Sequence, residues 1–123
     1  EEFDKFTAQN GNVIFLKKVH DIKRFGCATV EANRVTKIVE KPEQPESNWA
    51  VTGLYLYTAH VYSILPNLLI SERKELEISD INLWYAQNNL TTAIFVNGFW
   101  SDMGTPSSMQ KTQNFIEEKK FNL

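Results

Sequence analysis

The sequence predicts an α/β domain built as a layered mixed sheet with flanking helices, on three observations. Val13-Ile14-Phe15-Leu16 is an unbroken apolar run, the pattern of a strand buried on both faces. Residues 27–31 and 34–40 read as the two strands of a hairpin joined around Ala32-Asn33. Ile78, Ile81, Trp84 and Tyr85 fall at helical spacing between strand-like stretches. Strands interleaved with helices belong to layered α/β architecture.

Taken in order, residues 1–9 carry Phe3 and Phe6 on one side and acids at the start, which suits the end of an amphipathic helix stopped by Asn10-Gly11. The chain opens with Glu1-Glu2-Phe3 and no initiator Met, so a piece of a longer protein is expected. After the 13–16 strand, His20-Asp21 and Arg24-Phe25-Gly26 form a connection to the hairpin. Residues 42–48 are a polar loop with two prolines and no periodicity. Residues 51–57 are strand-like again. Thr58 is placed to cap a short helix through Val61, Ile64 and Leu65, which Pro66 ends or kinks. Ser79 is the expected cap of the helix that Asn88-Asn89 ends, and 91–96 is the next strand. Asn97-Gly98 turns the chain, and Thr105-Pro106 starts the last helix with a good cap and Pro at its first position. That helix is expected to pack Met109, Thr112, Phe115 and Ile116 inward, with Lys119 and Lys120 favourably placed near its C-terminal end.

With 123 residues, one domain spanning 1–123 is the natural count. A chain near this size hides roughly two-thirds of the surface it exposes when unfolded. Lys+Arg number 13 against 15 Asp+Glu, a net charge of -2, which argues against a nucleic-acid or membrane surface and leaves room for a local cationic pocket. One cysteine, Cys27, excludes an internal disulfide and fits a reducing compartment, so a cytoplasmic location is expected. No apolar run is long enough to span a bilayer, and no secretory signal is present.

Few residues stand out chemically. His20 and His60 lie far apart without metal-ligand spacing and read as surface or loop histidines. Cys27 reads as a buried, inert thiol. Glu40-Lys41 closes a β-branched run just before Pro42. Neighbours on a strand point to opposite faces, but a twisted strand end can bring both to one cleft, where an acid can accept sugar hydroxyls and an ammonium can hold a phosphate. A solvated pair at a turn is the plainer reading. Asp102, at a strand end beside a glycine turn and a helix start, suits a Mg²⁺ ligand and equally a turn-stabilising carboxylate. Trp100 is either an aromatic wall for a sugar or core. Arg24 and Arg73, alone in loops, default to solvation, as does the alternating charge of residues 71–77 before the helix cap.

Five stretches in order do more together. Arg24-Phe25-Gly26, Val39-Glu40-Lys41-Pro42, the run from Pro45 through Val51-Thr52-Gly53-Leu54-Tyr55, Glu75-Leu76-Glu77-Ile78-Ser79-Asp80-Ile81-Asn82, and Trp100-Ser101-Asp102-Met103-Gly104-Thr105 resemble the C-terminal half of sugar-1-phosphate nucleotidyltransferases. The likeness is nearest to their glucose-1-phosphate thymidylyltransferase branch and covers nearly the whole chain. It implies the C-terminal half of a Rossmann-like nucleotidyltransferase fold. Phe25 stands where the family often has Tyr, Trp49 replaces a Tyr, Cys27 a Val, Met103 a Thr and Lys74 a Gly.

The resemblance implies roles. Gly26 would bring its amide against a sugar hydroxyl, since a residue without Cβ permits close approach. Glu40 would accept sugar hydroxyls, while Lys41 and Arg73 would hold the phosphate. Val51 would give backbone contacts, Tyr55 would line the sugar pocket, Trp100 would sit beside the reacting groups, and Asp102 would be one of two carboxylates on Mg²⁺. The implied substrates are glucose 1-phosphate and a nucleoside triphosphate, dTTP foremost, and a homo-oligomer is expected. The family's triphosphate site, with its Gly-rich loop, belongs to the N-terminal half, which this sequence lacks. The parent protein is therefore expected to be the enzyme, and this chain alone to be inactive. A non-catalytic sugar-phosphate-binding or regulatory module is the alternative.

Overall fold

The computed structural model describes residues 10–68 and 77–119. Five strands run β1 (Asn12–Lys18), β2 (Gly26–Glu31), β3 (Arg34–Glu40), β4 (Trp49–Tyr57) and β5 (Thr91–Phe95). The helices are α1 (Val61–Ile64), α2 (Ile78–Gln87) and α3 (Pro106–Lys119), with short 3-10 turns at Ile22–Arg24 and Leu65–Asn67. The expected helix before Asn10 and the loop bearing Arg73 lie outside the described residues.

The apolar run becomes the central strand. β1 pairs antiparallel with β4, from Asn12↔Tyr57 to Lys18↔Trp49, and parallel with β5, from Asn12↔Thr91 to Leu16↔Phe95. Flanked on both sides, it buries Val13, Ile14 and Leu16 almost completely. β2 and β3 form the expected antiparallel hairpin, with Gly26 opposite Glu40. Its turn residues Ala32 and Asn33 have φ of 46° and 63°, the left-handed pair that matches the twist of a tight hairpin. Single bridges at Cys27↔Ala50 and Arg34↔Thr92 join this hairpin to β4 and β5, closing the order β1-β4-β2-β3-β5. The sheet is mixed and flanked by helices, as expected; its closure is additional.

The main core gathers Ile14, Leu16, Ala28, Val35, Ala86 and Ala93, with α2 packed on β3 and β5. Fully burying a side chain of the Leu or Ile kind contributes about 1.5–3 kcal/mol. A second cluster, Ile22, Cys27 and Ala50 with Phe25 against it, lies under the start of the hairpin. Beneath β4, Asn82 Oδ1 accepts hydrogen bonds from Asn12 Nδ2 (3.2 Å) and from the Tyr57 hydroxyl, and Thr91 Oγ1 donates to Asn12 Oδ1 (2.7 Å). Burial pushes the Tyr57 hydroxyl well above its usual pKa, with Tyr55 adding to the shift, so it stays a donor.

Three local expectations are corrected. Thr58 does not cap α1: its Oγ1 is buried without a partner among the described residues, and only its backbone carbonyl receives the Val61 N–H (3.1 Å). Ser79 is not the cap of α2. The helix begins two residues earlier than that cap implies, at Ile78, with Glu77 at the cap donating its N–H to Asp80 Oδ2 (3.3 Å). On α3, Met109 and Ile116 are 59% and 50% exposed among the described residues, where the spacing places them inward. The fastenings of α3 are the stack of Phe115 on Phe99 (4.0 Å) and the buried Ser108. Its start is as expected: Ser108 N–H donates to Thr105 Oγ1 (3.1 Å) and Thr105 N–H to Ser108 Oγ (3.0 Å).

Candidate functional site

Where β2, β3 and β4 run out toward the 99–105 segment, the surface sinks into a hollow of about 350 Å³. Gly26, Glu40, Val51, Tyr55, Trp100 and Asp102 all line it, so six of the eight residues singled out in the sequence meet in one place. Lys41 does not join them: its side chain is exposed, and it is not among the described residues that form the lining. The backbone turns left-handed there, with φ 43°, and the Lys41 N–H donates to the Phe25 carbonyl (3.0 Å). Arg73 lies outside the described residues.

The floor comes from paired strands. Gly26 is buried opposite Glu40; a Cβ on it would stand 3.0 Å from Glu40 Oε2 and 3.4 Å from Val51 Cβ. The missing side chain is what lets the Glu40 carboxylate lie over the Gly26 backbone. Among the described residues nothing hydrogen-bonds the Glu40 side chain, so its oxygens are available as acceptors. Tyr55 is half-buried on β4. Burial, and then the nearby Glu40 charge, push its hydroxyl above the usual range, which keeps it protonated and able to donate.

The opposite wall is held by side chains. Trp100 meets the Phe25 ring edge-on at 5.3 Å and 68°, so it is a wall of the hollow rather than core. The Lys17 ammonium donates to the carbonyls of Val96 (3.3 Å) and Gly98 (2.6 Å), pinning the chain that leads to it. Arg24 reaches Asp102 Oδ2 through Nη2 (2.9 Å) and Asp21 Oδ2 through Nη1 (2.8 Å). The Gly104 N–H donates to the same Asp102 oxygen (3.0 Å). Hydrogen bonding to Arg24 holds the Asp21 carboxyl below its usual range. On the far side of this wall a second hollow, about 480 Å³, is lined by Asp21, Lys111 and Ser107.

Arg24 and Lys17 went unread in the sequence. Arg24 passed for a solvated loop arginine, yet it bonds Asp102, 78 positions along the chain. The adjacency of Arg24 to Phe25, whose ring meets Trp100 edge-on, is the one local hint. His60 is likewise no plain surface residue: it packs in ring contact with Trp84 and Tyr85. Cys27 is buried and free, as expected. Among the described residues no three His, Cys, Asp or Glu side chains come together as a metal cage. Asp102, with Oδ2 engaged and Oδ1 unengaged among those residues, is equipped to give one oxygen to an ion whose other ligands come from elsewhere.

A family model described as nucleotidyl transferase matches residues 1–119. The chain is 39% identical over 111 residues to a glucose-1-phosphate thymidylyltransferase of Neisseria meningitidis, and 39% identical over 112 residues to one of Xanthomonas campestris. These alignments cover 88% and 89% of this chain and 38% of each relative, so the chain spans well under half the length of either. Among solved structures it is similar to a Bacillus anthracis protein assigned as a glucose-1-phosphate thymidylyltransferase and crystallised with sucrose. That match has a TM-score of 0.78 and 40% identity over 93% of this chain and 47% of the other. A UDP-glucose pyrophosphorylase, 21% identical with a TM-score of 0.75, shares the fold over 97% of this chain and 47% of its own.

Proposed function

The chain belongs to the nucleotidyl transferase family, and from that premise we propose that it is the sugar-phosphate-holding part of a glucose-1-phosphate thymidylyltransferase. The reaction is nucleotidyl transfer. A phosphate oxygen of glucose 1-phosphate attacks the α-phosphorus of dTTP, the bond from that phosphorus to the bridging oxygen breaks, and pyrophosphate leaves. One observation carries the reading: Gly26, Glu40, Val51, Tyr55, Trp100 and Asp102, scattered over 77 positions, line one hollow.

In that hollow Glu40 accepts hydrogen bonds from sugar hydroxyls, Tyr55 donates one, and the Gly26 and Val51 backbones come close because no Cβ stands on Gly26. Trp100 closes the wall beside the reacting phosphate. Arg73 and Lys41, the latter exposed and outside the lining of the hollow, are the cations assigned to that phosphate. Asp102 is one protein ligand of Mg²⁺, which when bound supplies charge neutralisation for the transferring group. The rest of catalysis is positioning and charge stabilisation by these side chains. Residues 1–123 form part of one domain, whose triphosphate site is contributed by further sequence of the parent protein. The parent is a cytoplasmic homo-oligomer.

Calorimetric titration of the chain with glucose 1-phosphate, paired with a pyrophosphate-release assay in dTTP and Mg²⁺, tests both halves of this reading. Saturable binding without sustained release is expected. Absence of binding would remove the sugar-phosphate assignment, and sustained release would remove the assignment of the triphosphate site to missing sequence.

A further inference from the structure

Resting on the reading of Asp102 as a metal ligand, we propose that Arg24 is the residue that positions it. Asp102 sits in an irregular segment, between Trp100 and Gly104, with no strand or helix to fix its side chain. Both of its hydrogen bonds fall on one oxygen, Oδ2: the Gly104 N–H at 3.0 Å and Arg24 Nη2 at 2.9 Å. That grip holds Oδ2 and leaves Oδ1 unengaged among the described residues.

Arg24 is itself anchored. Its other terminal nitrogen holds Asp21 Oδ2 at 2.8 Å, and its guanidinium lies 5.0 Å from the centre of the Phe25 ring. Asp21 and Arg24 flank and form the short 3-10 turn Ile22–Arg24, whose Ile22 is buried in the second apolar cluster. The chain Asp21–Arg24–Asp102 therefore transmits a fixed position from folded backbone to a carboxylate that has none of its own. The planar fork reaches the two carboxylates through two nitrogens held at a fixed separation; a lysine ammonium keeps the charge but donates from a single nitrogen and loses this geometry. Outer partners of a metal-bound carboxylate orient it, and losing one typically weakens metal affinity by about 10–100-fold.

The test uses Mn²⁺ as the probe, followed by electron paramagnetic resonance, on the full-length parent protein, which supplies the ion's other ligands, in the presence of glucose 1-phosphate. The variants are Asp102→Asn, Arg24→Lys and Asp21→Asn. The unaltered protein binds Mn²⁺ and Asp102→Asn loses it; if either fails, the metal-ligand reading falls and this inference with it. Given that result, Arg24→Lys is expected to bind Mn²⁺ about tenfold more weakly, with glucose 1-phosphate affinity in metal-free buffer unchanged. Asp21→Asn moves the same way by less, and it carries the test should Arg24→Lys fail to fold. Unchanged or tighter Mn²⁺ binding in the folded variants overturns the inference while leaving Asp102 as the ligand. A loss of metal-free sugar-phosphate binding in Arg24→Lys also overturns it, because Arg24 would then be touching the substrate.

Discussion

The two walls of the hollow are built by different means. Gly26, Glu40, Val51 and Tyr55 stand on β2, β3 and β4, where ladder hydrogen bonds and the core beneath fix each backbone position. Trp100 and Asp102 stand on an irregular segment, and what fixes them is a set of long-range side-chain contacts: Phe25 on Trp100, Arg24 on Asp102, Lys17 on the carbonyls of Val96 and Gly98. The first wall inherits its geometry from the fold. The second owes its geometry to a handful of residues, so single substitutions there can move the site without unfolding the protein.

Leu16→Ala strikes beneath the strand-borne wall and should have the largest effect. Deleting a fully buried Leu costs about 2–5 kcal/mol, read as a drop in urea midpoint, and sugar-phosphate binding should fall with it. Should stability hold within 1 kcal/mol (about a fivefold change in the folding equilibrium), the core assignment is wrong. Glu40→Gln removes a charge from the same wall without touching the core. Loss of a hydrogen bond to a charged group costs about 1.5–3 kcal/mol, so glucose 1-phosphate affinity should fall by one to two decades while the urea midpoint stays put.

On the second wall, Phe25→Leu keeps an apolar contact and removes the edge-on ring pair, a term of about 0.5–1.5 kcal/mol. Trp100 emission should change while the strand-borne residues keep their amide chemical shifts. Spread of the shift changes through β4 would erase the distinction between the walls. Met109→Ser together with Ile116→Ser should move stability by no more than about 0.5 kcal/mol per site, since both are exposed.

The smallest effect concerns acid. Arg24 lowers the pKa of Asp21 in the folded chain. A depressed carboxyl adds stability above its unfolded value, near 3.8, and that stability is lost as pH falls through the lower folded value. Asp21→Asn should thus be slightly less stable than the parent at neutral pH, with the gap closing below about pH 4. A gap that persists unchanged into acid would mean the ion pair is not its source.

The same division decides what was legible in the sequence. β1 could be read from four consecutive apolar residues, because a strand paired on both sides demands them. The hairpin could be read from two strand-like stretches on either side of Ala32-Asn33. Those signals are local. Arg24 meeting Asp102, or Asn12 meeting Asn82 and Thr91 in the interior, depends on pairings that exist only once β1 lies between β4 and β5. No spacing in the sequence encodes them. The family likeness recovered six of the lining residues, yet it did not reveal what keeps Trp100 and Asp102 in place. Periodicity misled on α3: Met109 and Ile116 have the spacing of a packed face, but both are exposed among the described residues.

The β2–β3 hairpin has a single bridge pairing to the strand on each flank, Cys27↔Ala50 and Arg34↔Thr92. It carries Gly26 and Glu40, whereas Val51 and Tyr55 belong to the adjoining strand. A molecule lodged between them would act as a rivet across that seam. Ligand occupancy should therefore slow deuterium uptake along the hairpin edge more than anywhere else in the chain, over and above the mass-action stabilisation that any bound ligand confers.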